Sequence, residues 1–370
     1  MEILQIIARV NRGGTARWLE ELVIGLREKG EKVTLVAGYV QAGESEDSIF
    51  KELGGHRIES LGRSISLFAD FKAFLEVRKY IIDSKPDLIN THTAKAGVIG
   101  RLAAASIIKD RPAVVHTFHG HLLYGYFPKW KTEIFIWIEK FFAQFSDVLI
   151  AAGDKVKSDL LTAGVGKERS FQVLRPGIHD FYHLEKKHIK EQLHISDEKL
   201  VVGWLGRITK IKRADKVIQL AMRFPETVFL LGGEGDLLNE FKLTSPSNVI
   251  FLGWTTPEII WSASDIALLT SDNEAQPISL IEASYASLPI VAQNVGSVSE
   301  VVDDGKTGIL VTNFQESASA LQRLISDADL RRTLGNAGRI YVESRFSPSQ
   351  FISGHITAYS KALEIQAGEN

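Results

Sequence analysis

The chain predicts an α/β fold built from two doubly wound, Rossmann-like domains, and three observations carry that reading. Short β-branched runs alternate with longer amphipathic stretches from end to end. Most of the short runs are hydrophobic almost without interruption, as strands are when helices cover both faces of a parallel sheet. The pattern then restarts near residue 200, after the segment LRPGIHDFYH at 174–183. A chain of 370 residues exceeds one comfortable core and suits two.

In order, the strand candidates of the first half are ILQIIA (3–8), KVTLVAG (32–38), DLINTH (87–92), AVVHTF (113–118) and DVLIAA (147–152). Helical segments fall between them at 15–29, 66–83 and 134–145. The Pro-Gly pair within 174–183 is a plausible hinge, followed by a polar, Lys-rich helix at 185–193. The second half gives LVVGWLG (200–206), TVFLLGG (227–233), NVIFLG (248–253), DIALLT (265–270), PIVAQN (289–294) and TGILVT (307–312), with a helix at 278–287. We place a first domain at 1–178, a second at 179–346, and a closing helix and tail at 347–370. That last helix either caps the second domain or crosses back to the first. In open α/β sheets ligands sit outside the carboxyl ends of the strands, so two facing domains would line a cleft with strand-end loops.

Bulk composition narrows the partners. A hydrophobic content of 45% and a charged content of 24% are those of an ordinary soluble protein. A net charge of −2 removes the simplest argument for nucleic-acid binding. With no cysteine there is no disulfide, thiolate nucleophile or Cys-based zinc site, which fits a reducing, cytoplasmic compartment. MEILQIIARV reads as a first strand, not a leader peptide, and no apolar run reaches the roughly 20 residues needed to span a bilayer.

The strand-end loops hold the candidate chemistry. Gly13 and Gly14 precede a helix, where paired glycines let backbone approach a ligand and free amides favour an anion. Neither this stretch nor GGEGD (232–236) is G-x-G-x-x-G, so a dinucleotide cofactor loses its main support. In GRITKIKR (206–213), Arg207 and Lys212 combine a guanidinium fork with a compact ammonium, a pairing suited to a diphosphate. In DNEAQPISLIEA (272–283), Pro277 opens a helix whose first amides, at Ile278, Ser279 and Leu280, can meet phosphate oxygens. Glu282, one turn in, can reach a diol such as a ribose, or can simply answer the helix dipole. Glu274, in the loop, can reach a group beyond the phosphates or remain an exposed acid. HTFHGHLLYGYF (116–127) offers three histidines, of which His119 is the candidate for a hydroxyl contact or for acid–base work. His119-Gly120-His121 lacks a third ligand, and Asp327-Ala328-Asp329 sits where a helix cap is expected, so no metal site is assigned.

Taken together, the Gly-Gly loop after strand 1, His-Gly at 119–120, Arg-x4-Lys at 207–212 and Glu-x7-Glu at 274–282 resemble the retaining glycosyltransferases of family 4, which have the GT-B fold. THTAKAGVIGRLAAA (91–105) and VVHTFHG (114–120) look like members that build bacterial surface polysaccharides. The resemblance implies a nucleotide-sugar donor, UDP-linked ahead of GDP-linked, and a glycan or polyprenyl-linked saccharide acceptor. It implies no cofactor and no divalent ion. By position, Arg207 and Lys212 would hold the diphosphate and Glu282 the ribose. Glu274 and His119 would contact the transferred sugar, Gly14 would let its loop close on the phosphates, and the base would lie near Gly253 and Trp254. It also implies that the terminal helix crosses back to the first domain. Ala275, Ser287 and Ser297 stand where glycine is usual in such relatives, and Ala275 bears on sugar identity.

FPKWKTEIFIWIEKFFAQF (127–145) has two readings. One is an interfacial segment in peripheral contact with the inner membrane surface. The other, preferred on its all-round hydrophobicity, is a buried helix packed on the first sheet. A sugar-nucleotide epimerase and a non-catalytic nucleotide-sugar binder are the alternatives to transfer.

Overall fold

The computed structural model of the chain describes residues 1–41, 43–62, 64–120 and 128–368. Two compact units emerge, Met1–Gly177 with Pro348–Asn370, and Ile178–Ser347.

The first unit runs β1 (Glu2–Ile7), α1 (Gly14–Glu28), β2 (Lys32–Ala37), α2 (Ile49–Glu52), β3 (His56–Arg57), α3 (Leu67–Ser84), β4 (Leu88–His92), α4 (Ala94–Ala105), β5 (Ala113–Phe118), α5 (Lys129–Ala143), β6 (Val148–Ala151), α6 (Asp154–Thr162) and β7 (Phe171–Val173). Its strands form one parallel sheet in the order β3-β2-β1-β4-β5-β6-β7. The second unit runs α7 (Lys186–Gln192), β8 (Val201–Leu205), α8 (Ala214–Arg223), β9 (Val228–Gly232), α9 (Leu238–Thr244), β10 (Val249–Gly253), α10 (Pro257–Ala263), β11 (Ile266–Leu269), α11 (Ile278–Tyr285), β12 (Ile290–Gln293), α12 (Val298–Val301), β13 (Gly308–Val311), α13 (Phe314–Ser326) and α14 (Ala328–Arg345). It too is parallel throughout, ordered β10-β9-β8-β11-β12-β13. The closing helix α15 (Pro348–Gly368) returns to the first unit, as the resemblance implied.

Strand alternation sorts each sheet's side chains between two cores. In β1, Ile3 and Ile7 join a cluster with α1 and α15, whereas Leu4 and Ile6 join one with α3 and α4. The closing helix supplies Phe351, Ile352, Ala358, Tyr359 and Ala362 to the first of these. The order of the strands reverses between β1 and β4 in one unit and between β8 and β11 in the other. Loops leaving those four strands therefore open at the topological switch points where open α/β sheets bind ligands.

Two expectations need correction. The edge strands β3 and β7, two and three residues long, escaped the sequence reading because neither forms a β-branched run. The preferred reading of the 127–145 segment as a buried helix is overturned. The helix begins at Lys129, and only Glu139 and Ala143 of it are buried. Glu139 docks it through an ion pair with the fully buried Arg101, Nη2 to Oε2 at 2.8 Å. That pair turns the apolar stripe outward: Trp130, Ile134, Trp137 and Phe141, spaced as one helical face, are 45–67% exposed.

Candidate active site

In the second unit the candidates gather where β8 and β11 end. Arg207 follows β8 by two residues, exposed and without a side-chain partner among the described residues. Its loop lies on the loop after β9. Ile208 N–H donates to the Glu234 carbonyl at 2.9 Å, and a Cβ on Gly233, where φ is +133°, would stand 1.9 Å from the Gly206 carbonyl. The first glycines of GGEGD thus permit the backbone contact beneath Arg207.

Lys212 ends a 3-10 turn, Lys210–Lys212, and its Nζ lies 2.5 Å from Glu274 Oε1. The same oxygen accepts from Ser271 Oγ at 2.6 Å. Thr270 Oγ1 donates to the Lys212 carbonyl at 3.0 Å and accepts from Trp204 Nε1 at 3.1 Å, which ties the turn to the core of β8. The cation and the acid that the resemblance sends to different parts of a donor are therefore direct partners here. Of the other cations nearby, Arg213 is turned to Asp215 and Asp272, and Lys216 to Asp272.

Glu274 is braced from behind. Ser297 N–H donates to its carbonyl at 3.1 Å, and Gly296, at φ +54°, would drive a Cβ to within 1.8 Å of that oxygen. Around the pair stand three buried oxygens with no partner: Thr209 Oγ1, Gln276 Oε1 and Ser297 Oγ. Buried polar atoms are nearly always paired, so these three are open to water or to a polar ligand. Sequence reasoning missed all three in this role. Their signal was polar residues at strand ends, and Ser297 stood out only as a departure from glycine.

Helix α11 begins at Ile278 with Pro277 as its cap residue, as read from the sequence. Leu280 N–H is already donated to the Pro277 carbonyl at 2.9 Å, which leaves Ile278 and Ser279 as the first-turn amides available to an anion. Glu282 is buried one turn further on. Gly253 closes β10 at φ +67°, its carbonyl accepting from Gly233 N–H, and Trp254 beside it is half exposed.

The first unit holds the remaining candidates. Gly13 caps α1 at φ 141°, with its carbonyl accepting from Ala16 and Arg17 N–H, and both Gly13 and Gly14 are exposed. His119, just past β5, packs its ring edge-on to Trp18 at 4.9 Å. Its Nε2 lies 2.8 Å from His92 Nδ1, and His92 Nε2 lies 2.7 Å from Gln5 Oε1. Gln5 Nε2 donates to the Tyr359 hydroxyl at 3.1 Å, Asn90 Nδ2 donates to the same oxygen at 2.8 Å, and Thr117 Oγ1 donates to Asn90 Oδ1 at 3.0 Å. Gln5, Asn90, His92 and Thr117 all lie on the α15 side of the sheet, where period-two alternation places them in register across β1, β4 and β5. Polar residues inside near-continuous apolar runs were the visible clue to this network. Loss of hydration, and then the field of His355, pushes His119 down to about 3. Burial first, and then His119, holds His92 well below the usual imidazole range.

His121, Tyr124 and Tyr126 lie outside the described residues. Asp327 caps α14, its carboxylate accepting from Leu330 N–H at 2.8 Å, in keeping with the capping role assigned to it. Among the described residues no helix is long and apolar enough to cross a membrane, and no group of three or more His, Asp or Glu is placed to hold a metal.

Two family models match the chain, "Glycosyltransferase Family 4" over residues 12–180 and "Glycosyl transferases group 1" over residues 185–341. It is 28% identical over 311 residues to the capsular polysaccharide biosynthesis glycosyltransferase CapM of Staphylococcus aureus, covering 78% of this chain and 80% of that one. It is 26% identical over 308 residues to an Escherichia coli enzyme named UDP-Gal:alpha-D-GlcNAc-diphosphoundecaprenol alpha-1,3-galactosyltransferase, covering 78% and 79% respectively. In fold it is similar to Anabaena Alr3699/HepE, solved in complex with UDP-glucose, at a TM-score of 0.81 and 19% identity, covering 97% of this chain and 100% of that one.

Proposed function

The chain belongs to glycosyltransferase family 4, and from that premise we propose that it moves a hexosyl group from a UDP-sugar, ahead of a GDP-sugar, onto a lipid-linked saccharide, with retention of anomeric configuration and without a divalent ion. The observation that carries this reading is the Lys212–Glu274 pair beside the unpartnered Arg207, at the switch point of a parallel sheet. Breaking the anomeric carbon–phosphate bond moves charge onto the diphosphate. Fixed cations at Arg207 and Lys212, with the amides of Ile278 and Ser279, stabilise that charge where it develops.

The pairing also couples the two ends of the donor. A diphosphate that draws Lys212 Nζ away from Glu274 frees that carboxylate to accept from hydroxyls of the sugar. Ser297 and Gln276 add polar atoms nearby, and Ala275 narrows the same loop, so these three bear on which sugar is taken. Glu282 suits the ribose, Gly253 and Trp254 suit the base, and the Gly13–Gly14 loop suits the phosphates from the first unit. We assign His119 a contact to the sugar.

The E. coli relative's name gives a diphosphoundecaprenol-linked acceptor, and the outward stripe of α5 supports peripheral contact with the cytoplasmic face of a membrane. Trp and Phe suit an interface, with Lys129, Lys131 and Lys140 on the same helix to meet anionic headgroups. Neither the net charge nor any loop motif supports a nucleic-acid partner.

The test is a thermal-shift panel of UDP-, GDP- and ADP-sugars, followed by transfer to lipid-linked saccharides with product analysis. A ligand at about 100 times its Kd stabilises by about 2.7 kcal/mol. A stabilising donor that is epimerised without acceptor, or that never releases nucleoside diphosphate, would refute transfer.

A further inference from the structure

We propose that Gln5 and His92 are positioning residues that fix His119 in the tautomer protonated on Nε2, so that Nδ1 faces its ligand as a hydrogen-bond acceptor. This rests on the assignment of His119 to the sugar, but it concerns the state of the ring, which can be read without substrate.

The polarity of the chain of contacts follows from its chemistry. A carbonyl oxygen has only lone pairs to offer, so the proton in the 2.7 Å contact between Gln5 Oε1 and His92 belongs to His92 Nε2. A neutral imidazole carries one N–H, which leaves His92 Nδ1 as a lone pair. The 2.8 Å contact from that nitrogen to His119 then takes its proton from His119 Nε2. What remains on His119 is Nδ1, unprotonated. Both rings are held neutral by loss of hydration, so the assignment persists across the physiological range.

Gln5 decides the direction. Its amide turned end for end would present N–H to His92 and reverse both tautomers. In the structure Gln5 Nε2 faces the Tyr359 hydroxyl at 3.1 Å, on a helix reaching back from the far end of the chain. A hydroxyl can accept or donate, so the nitrogen spectrum of the labelled chain reads the orientation of this amide together with the tautomers. Edge-on packing of Trp18 limits the swing of the His119 ring; of the other imidazoles near it, His355 donates Nδ1–H to the Phe351 carbonyl and His116 pairs with Thr91 Oγ1. The sequence left His119 open between a hydroxyl contact and acid–base work. Fixed in this way it accepts from a hydroxyl and cannot serve as an acid near neutral pH.

Nitrogen NMR of the full chain labelled with ¹⁵N-histidine tests this, with the His119 signals assigned by their loss in His119→Asn. In the parent protein Nδ1 of His119 should resonate as an unprotonated imidazole nitrogen and stay there from pH 8 down to pH 5. Gln5→Met should shift the His119 signals toward a mixture of tautomers and lower kcat about tenfold, a cost typical of losing a partner that orients a site residue. His92→Phe should do the same, so the reading survives if one variant fails to fold. A protonated Nδ1 on His119 in the parent protein overturns the relay whatever the activity. The expected tautomer together with unchanged transfer in His119→Asn leaves the relay standing and refutes the assignment of His119 to the sugar.

Discussion

Replacing Lys212 by alanine separates two quantities that the structure ties together, the stability of the β11 loop and the rate of bond breaking. An exposed ion pair contributes about 0–1 kcal/mol, whereas breaking a buried one costs about 3–5 kcal/mol because a charge is left behind. With side-chain exposures of 23% for Lys212 and 9% for Glu274, the loss falls between these limits, at about 2 kcal/mol. For a unit of this length that lowers the melting midpoint by about 4–8 °C. The rate effect is separate: losing one donor to the developing charge costs about 2.7–4 kcal/mol in the barrier, or 10²–10³ in kcat. Adding Glu274→Gln removes the stranded charge while keeping an acceptor for Ser271 Oγ. The double variant should regain most of the lost melting temperature and none of the lost rate, as read by calorimetry and by release of nucleoside diphosphate. Turnover within threefold of wild type in Lys212→Ala would refute the leaving-group assignment. A double variant melting no higher than the single one would show that the pair does not brace the loop.

Gly233→Ala, which sets a methyl against the Gly206 carbonyl at φ +133°, should cost about 1–3 kcal/mol in urea unfolding and displace Arg207, raising the KM for donor; unchanged values of both would remove the packing role of that glycine. Tyr359→Phe leaves two buried amide N–H groups without their acceptor and should lower the unfolding free energy by about 1–3 kcal/mol, a loss that a wild-type urea midpoint would contradict. Burial pushes His355 down to about 4, so the unfolded chain takes up its proton first as the pH falls. The stability due to this group is complete above about pH 6.5 and is lost on the way down to pH 4, by up to about 3 kcal/mol; His355→Phe should flatten that stretch of the curve measured by denaturant unfolding. Trp130→Glu with Trp137→Glu should weaken co-sedimentation with anionic vesicles by at least about tenfold, and equal binding of both proteins would exclude α5 as the membrane face.

The fold was legible because its central strands are buried on both faces. β8 and β9 are apolar runs that no surface element would carry, and β1 differs only by Glu2 at its start and Gln5 within it. The loop motifs were legible where glycine, proline or paired charges punctuate strand ends, as at Arg207, Lys212, Pro277 and Glu274. What escaped is what depends on pairing across the chain. That Lys212 and Glu274 neutralise each other, and that Gln5 reaches a tyrosine more than 350 positions away, leaves no periodic trace. Helix α5 misled because composition reports how apolar a helix is, not which side a buried Arg101–Glu139 pair pulls inward. The orphaned hydroxyls of Thr209 and Ser297 became visible only once their neighbours were known.

The return of α15 to the first unit has a consequence for synthesis. Residues 178–347 form an uninterrupted unit and can fold as soon as they leave the ribosome, but the unit begun earlier waits for Phe351, Tyr359 and their neighbours. At roughly 5–20 residues per second the wait is roughly 10–30 s, during which the sheet of β1, β4 and β5 lacks the apolar cover of α15, and the amide N–H groups of Gln5 and Asn90 lack their Tyr359 acceptor. The unit begun first is thus the last to be completed.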